Sequence, residues 1–71
     1  MQSGTMKFDA DTERWRFQGR SEFWFHCGYP LQVRIANRYV TGTLEYADDW
    51  YVIFPETSFT LRRKNIYQVK A

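Results

Sequence analysis

The stretch LQVRIANRYVTGTLEY, residues 31–46, decides the fold. Leu31, Val33 and Ile35 alternate with the residues between them, and residues 37–38 form a polar turn into a second β-prone run. Side chains of a strand point alternately to its two faces, so this alternation is typical of strands with one buried face. Two such strands around a short polar turn predict an antiparallel hairpin.

Shorter patterns of the same kind fill the rest of the chain and predict six or seven short strands. Besides the two strands of the hairpin, they predict strands within residues 6–17 (two strands around a turn at 9–12), 22–25, 50–54 and 66–69, and Phe59 and Leu61 continue an alternating pattern. No segment predicts a helix of ten residues. At this length a small closed β-barrel is favoured, because closure removes exposed sheet edges. The predicted core residues are Trp15, Phe17, Leu31, Val33, Ile35, Leu44, Val52 and Val69.

The length of 71 residues is that of a single domain. Residues 1–5, MQSGT, are small and polar, and we expect a disordered tail or residues left from cloning. The domain itself is predicted at residues 6–71. Six Phe, five Tyr and three Trp are more large rings than one small barrel needs, so a few should be exposed.

Three segments resemble a small bacterial family known only as a domain of unknown function. They are residues 27–35 (CGYPLQVRI), 38–46 (RYVTGTLEY) and 49–52 (DWYV). The corresponding patterns of the family are cGxPLeV, gRWvpgriEy and dgWYlv. The similarity covers roughly residues 13–70, and Tyr39 stands where the family often has Trp. The resemblance implies a small SH3-like barrel with little or no helix and a bacterial or mobile-element origin. It implies no catalytic residues.

Cysteine content and charge predict a cytoplasmic protein. One cysteine cannot form an internal disulfide, which favours a reducing compartment. The first 25 residues carry several charges where a signal peptide needs an apolar run, and no apolar run approaches the roughly 18 residues of a membrane span. Ten basic and eight acidic residues give a net charge of +2, which is too small to indicate a nucleic-acid binder by itself.

Neither enzymatic activity nor a metal or other cofactor is expected. The single histidine, His26, adjoins the single cysteine, Cys27, and strand alternation would place the two side chains on opposite faces. We therefore expect a core cysteine beside a partly exposed histidine. A structural zinc site needs four ligands, and the acidic pairs at 9 and 11 and at 48 and 49 are typical of turns.

The favoured function is a protein-binding module in which exposed aromatic residues and arginines contact the partner. The candidate residues are Trp24, Arg34, Arg38, Tyr39 and Tyr51. One concrete version is a small inhibitor, carried by a phage or another mobile element, that caps a host enzyme.

The alternative function is nucleic-acid binding by a small β-barrel. Phosphates would contact Arg34, Arg38, Arg62, Arg63 and Lys64, and bases would stack on Tyr39 or Tyr51. This alternative depends on whether the two basic segments converge or are separated by the acidic turn at 48–49.

Overall fold

In the computed structural model, which describes residues 1–71, the chain forms eight β-strands and no helix. The strands are β1 (Ser3–Asp9), β2 (Arg14–Gln18), β3 (Glu22–Trp24), β4 (Tyr29–Ile35), β5 (Arg38–Tyr46), β6 (Trp50–Ile53), β7 (Ser58–Thr60) and β8 (Tyr67–Lys70). The all-β prediction is confirmed. The number of strands exceeds the predicted six or seven, because the short segment after Pro55 pairs with β6 as a strand of its own. No helix is present that could cross a membrane.

The strands form one antiparallel sheet in the order β3-β2-β1-β8-β4-β5-β6-β7. The three-residue edge strands β3 and β7 do not pair with each other, so hydrogen bonds do not close the sheet into the predicted barrel. The sheet nevertheless curls around the core. The Trp50 indole N–H of β6 donates to the carbonyl oxygen of Glu13 beside β2 at 3.1 Å, and the rings of Phe59 in β7 and Tyr67 in β8 lie 6.1 Å apart. Side chains thus join strands that are distant in the sheet order.

The predicted hairpin is confirmed as β4 and β5. Seven residue pairs join the two strands, from Tyr29 opposite Leu44 to Ile35 opposite Arg38. The turn between them begins with Ala36 at a φ of 56°, a left-handed conformation that is uncommon for a residue with a Cβ atom.

The N-terminal segment differs from the expected disordered tail at residues 1–5, because residues 3–5 are part of a strand. They begin β1, which pairs with β2 on one side and with β8 on the other, where Ser3 lies opposite Lys70. Next to this pair, the backbones of Gln2 and Ala71 exchange two hydrogen bonds of 2.8 and 2.9 Å. Backbone pairing on both sides compensates for the lack of apolar side chains, which is why the hydrophobic pattern missed this strand.

The core consists of twelve buried apolar residues on the inner face of the sheet and in the connections that cover it. They are Met6, Trp15, Phe17, Phe25, Leu31, Val33, Leu44, Trp50, Val52, Phe54, Leu61 and Val69. Seven of the eight predicted core positions are among them. Ile35 is the exception with 45% exposure, because it is the last residue of β4, at an end of the sheet that the core does not reach.

Candidate functional site

Four connections meet at one end of the sheet and line a cleft of about 400 Å³. They are the β1–β2, β3–β4, β5–β6 and β7–β8 connections, and they bring together side chains that are up to about 50 residues apart in sequence. The lining residues are Thr12, Glu13, Arg14, Phe25, His26, Cys27, Tyr46, Trp50 and Arg63.

Aromatic residues form the floor and one wall of this cleft. Trp50 is buried, and its indole N–H is fixed by the Glu13 carbonyl oxygen. Glu13 presents this oxygen from a left-handed backbone with a φ of 58°. The ring of Tyr46 packs edge-to-face on Trp50 at 5.0 Å and is 49% exposed. The cleft therefore has a fixed aromatic floor and an accessible aromatic wall.

The two arginines of the cleft differ in their partners. Arg63 donates to the Asp49 carboxylate at 3.2 Å, and its guanidinium lies 4.5 Å from the centroid of the Phe8 ring. Arg14 forms no ion pair, and its Nη1 lies 3.5 Å from Nδ1 of His26. Arg14 is thus the cation of the cleft that remains available to a ligand.

A second hollow, of about 570 Å³, lies on the other side of Arg14 and His26. Its exposed aromatic residue is Trp24, which is 42% exposed. The indole N–H of Trp24 donates to Asp9 at 2.9 Å, and the Arg16 guanidinium lies 5.5 Å from its ring centroid. We call the two hollows together the loop-end groove; its principal residues are Arg14, Trp24, His26, Tyr46, Trp50 and Arg63.

Two carboxylates beside the groove have lowered pKa values. The indole N–H of Trp24 is the main cause of the lowered pKa of Asp9, and the backbone N–H of Trp50, at 2.8 Å, is the main cause of the lowered pKa of Asp49. Arg63 lowers the pKa of Asp49 further, while partial desolvation opposes both shifts. Both hydrogen bonds are made to the ionised carboxylate, so ionisation holds the two tryptophans in place.

These shifts predict an acid-dependent loss of stability. A carboxyl group with a folded-state pKa below its unfolded value stabilises the fold above the unfolded pKa, here 3.8, and loses that contribution as the pH falls through the folded pKa. The melting temperature should therefore decline below about pH 4. The doubly substituted Asp9→Asn/Asp49→Asn protein should show a shallower decline than an Asp48→Asn control. Parallel acid profiles for the two variants would contradict this assignment.

The five predicted partner-binding residues do not lie on one surface. Trp24 belongs to the loop-end groove. Arg34 and Tyr39 are cross-strand neighbours on the outer face of the sheet, where Arg34 donates to Gln68 at 2.7 Å. Arg38 lies at the start of β5 and lines a separate apolar cleft with Pro55. Tyr51 is half-buried on β6, opposite Glu45.

The basic run at 62–64 lies in the β7–β8 connection, next to the acidic turn. Its middle residue, Arg63, forms the ion pair with Asp49 described above. The backbone N–H of Arg62 donates to the Tyr67 hydroxyl at 2.9 Å. The acidic turn at 48–49 therefore neutralises part of the run, while Arg34 lies on the outer face of β4.

Cys27 is exposed, which corrects the prediction of a core cysteine. Strand alternation does not apply to His26 and Cys27, because β3 ends at Trp24 and the chain turns through Gly28 at a φ of 82° before β4. The buried position in this connection is taken by Phe25. His26 and Cys27 are both exposed and both line the cleft.

Comparisons with known proteins agree with the fold. A family model described as "Domain of unknown function (DUF5348)" matches residues 4–71. The chain is similar to the crystal structure of a protein from Ruminococcus gnavus, with a TM-score of 0.78 and 25% sequence identity over 97% of this chain and 99% of that chain. No curated protein matches the sequence.

Proposed function

We propose that this chain, which belongs to the DUF5348 family, is a non-catalytic protein-binding module that binds a segment of its partner in the loop-end groove. One observation carries the proposal: two exposed aromatic side chains, Trp24 and Tyr46, lie on either side of Arg14. Tryptophan, tyrosine and arginine are the residue types enriched at binding hot spots.

The contacts of the groove support binding because they fix its side chains in advance. Trp24 is fixed by Asp9 and Arg16, and Tyr46 packs on Trp50. Ordering a mobile side chain at an interface costs about 0.5–1.5 kcal/mol. A groove with side chains that are already ordered avoids much of this cost, and more of the contact energy contributes to affinity.

The proposal includes two further expectations from the sequence, the SH3-like barrel and the inhibitor carried by a mobile element. The curled sheet, open between β3 and β7, would be an SH3-like barrel with long connections at one end. A cytoplasmic inhibitor from a mobile element would use the groove to hold a projecting segment of a host enzyme. His26 is assigned to binding in this proposal, since its contact in the groove is with Arg14 and not with a nucleophile.

Nucleic-acid binding has less support from the contacts. The ammonium group of Lys70 lies 4.4 Å from the centroid of the Tyr39 ring and so covers a face on which a base would stack. Arg63 is already paired with Asp49. Two of the predicted contacts to nucleic acid are therefore occupied within the protein.

The proposal predicts that a Trp24→Ala/Tyr46→Ala protein loses its partner. Hot-spot truncations cost about 2 kcal/mol or more each, so affinity should fall at least about 100-fold. The measurement is capture of a stoichiometric partner from a bacterial lysate, followed by titration of the purified partner. Ile66→Ala is the matched control, because Ile66 is 61% exposed and lies outside the groove.

Two results would refute this proposal. The first is a partner that binds the doubly substituted protein and the Ile66→Ala control equally well, which would place the binding surface elsewhere. The second is the absence of any stoichiometric partner for a protein that stays monomeric.

A further inference from the structure

We infer that the partner segment bound in the loop-end groove presents the carboxylate of an Asp or Glu side chain to Arg14, between two large apolar side chains that pack on Trp24 and Tyr46. The inference rests on the proposed function and adds the chemistry of the partner. It follows from the ion pairs of the groove, from the cost of covering a charge and from the shape of the groove around Arg14.

The ion pairs leave Arg14 as the cation without a carboxylate. Arg63 is paired with Asp49, and Arg16, which lies against Trp24, is paired with Glu22. The nearest polar contact of Arg14 is the His26 ring at the 3.5 Å limit of a hydrogen bond. A guanidinium has five donors and a planar shape that matches a carboxylate, and most donors of Arg14 are without a protein acceptor.

The position of Arg14 forces the partner to cover it. A segment that contacts both Trp24 and Tyr46 must pass over Arg14, since Arg14 lines both hollows. Covering a charge without a counter-ion is strongly unfavourable, and a carboxylate in bidentate contact with the guanidinium offsets part of that cost. A purely apolar segment would therefore bind worse than one that carries a carboxylate at this point.

The charges of the groove favour a single negative charge over a phosphate dianion. Phosphate groups are usually met by several cations, but Arg14 is the one unpaired arginine here and Glu13, an exposed acid, lines the same cleft. A carboxylate matches the single charge of Arg14 and meets less repulsion from Glu13.

The shape of the groove favours a side chain over a chain terminus. Hollows with aromatic walls lie on both sides of Arg14, so a bound segment has contacts to make before and after its charged residue. A C-terminal carboxylate would leave one of the two hollows empty. The occupant is therefore an acidic residue inside a segment, with a large apolar residue on each side.

The test uses three capped peptides with the full protein. The probes are acetyl-Phe-Ala-Glu-Ala-Phe-amide and its counterparts with Gln or phosphoserine in place of Glu, because the first, third and fifth side chains of an extended segment face the same way. They are titrated while the indole N–H signals of Trp24 and Trp50 are followed by NMR. A charge-assisted hydrogen-bonded pair predicts about tenfold tighter binding of the Glu peptide than of the Gln peptide. Arg14→Gln should reduce the preference for the Glu peptide over the Gln peptide to within about twofold. Arg14→Lys should retain part of this preference, since Lys keeps the charge but lacks the bidentate donors of a guanidinium.

Arg20→Gln is the matched control, because it removes the same charge from the exposed β2–β3 turn and should leave the preference unchanged. Equal binding of the Glu and Gln peptides, with both indole signals shifted, would overturn the inference that Arg14 binds a carboxylate. The groove would then remain a candidate protein-binding site. Tighter binding of the phosphoserine peptide would overturn it in favour of a dianion. If neither indole signal moved, the inference would fail, and the Trp24→Ala/Tyr46→Ala experiment would decide the proposed function alone.

Discussion

Replacement of Phe17 by alanine is expected to remove about 3–5 kcal/mol from the free energy of unfolding. Phe17 is fully buried, and its ring lies 5.0 Å from that of Phe23 and 6.2 Å from that of Phe25. A domain of this size has a total stability of about 4–11 kcal/mol, so the variant should lose a large part of it. Urea unfolding followed by tryptophan fluorescence measures the change directly.

Phe59→Ala is the control for this prediction. Phe59 points to the same face of the sheet, as the partner of Val52, but it lies in the edge strand β7 and is exposed. Its removal should cost about half as much or less, because 44% of the Phe59 surface stays exposed in the folded protein. Similar losses for the two variants would show that Phe17 is not the centre of the packing described above.

Replacement of Gly4 by valine is expected to destabilise the domain by about 1–3 kcal/mol or more. A Cβ atom at this position would overlap the carbonyl oxygen of Gln18 and lie 2.7 Å from Cζ of Phe17. Backbone on one side and a packed ring on the other leave no room for relaxation. The effect would also establish that the first residues of the chain take part in the fold.

Ser3→Val is the control for Gly4→Val, because it adds the same side chain to the neighbouring residue of β1. Ser3 is exposed on the outer face of the sheet, so the added side chain should meet no clash there. If both valine variants unfolded at the same urea concentration as the original protein, residues 3–5 would not be paired in solution. A loss confined to Gly4→Val is the expected result.

The fold could be predicted where side-chain alternation carries the information. The β4–β5 hairpin was predicted with its turn, because Leu31 and Val33 face the core and the residues between them do not. The same rule failed for Ile35, since alternation gives the face of a strand but not where the core ends. It also failed for residues 3–5, where backbone hydrogen bonds pair the strand with its neighbours and Gly4 has no side chain to contribute to an alternating pattern.

The groove could not be predicted in the same way, because its members come from four separate connections. Trp24 was predicted as an exposed aromatic residue, but nothing near it in sequence indicates Tyr46 or Arg63. One signal was available: in a chain of mainly sequential antiparallel strands, alternate turns meet at the same end of the sheet. Applied to the predicted turns, this rule groups the β1–β2, β3–β4 and β5–β6 connections. The β7–β8 connection joins them only because residues 58–60 form a strand of their own.

The pairing of Gln2 with Ala71 makes this domain easy to insert or to permute. The two ends of the chain are joined by reciprocal backbone hydrogen bonds, and they lie beside the β2–β3 turn, with Arg20 and Ser21. The groove lies at the opposite end of β2, about 15 Å away along the strand. The whole domain could therefore be inserted into a loop of another protein, with both connections at adjacent residues. A short linker between Gln2 and Ala71 would also allow a circular permutation with new termini at the 36–37 turn. In both cases the groove would face away from the altered connections.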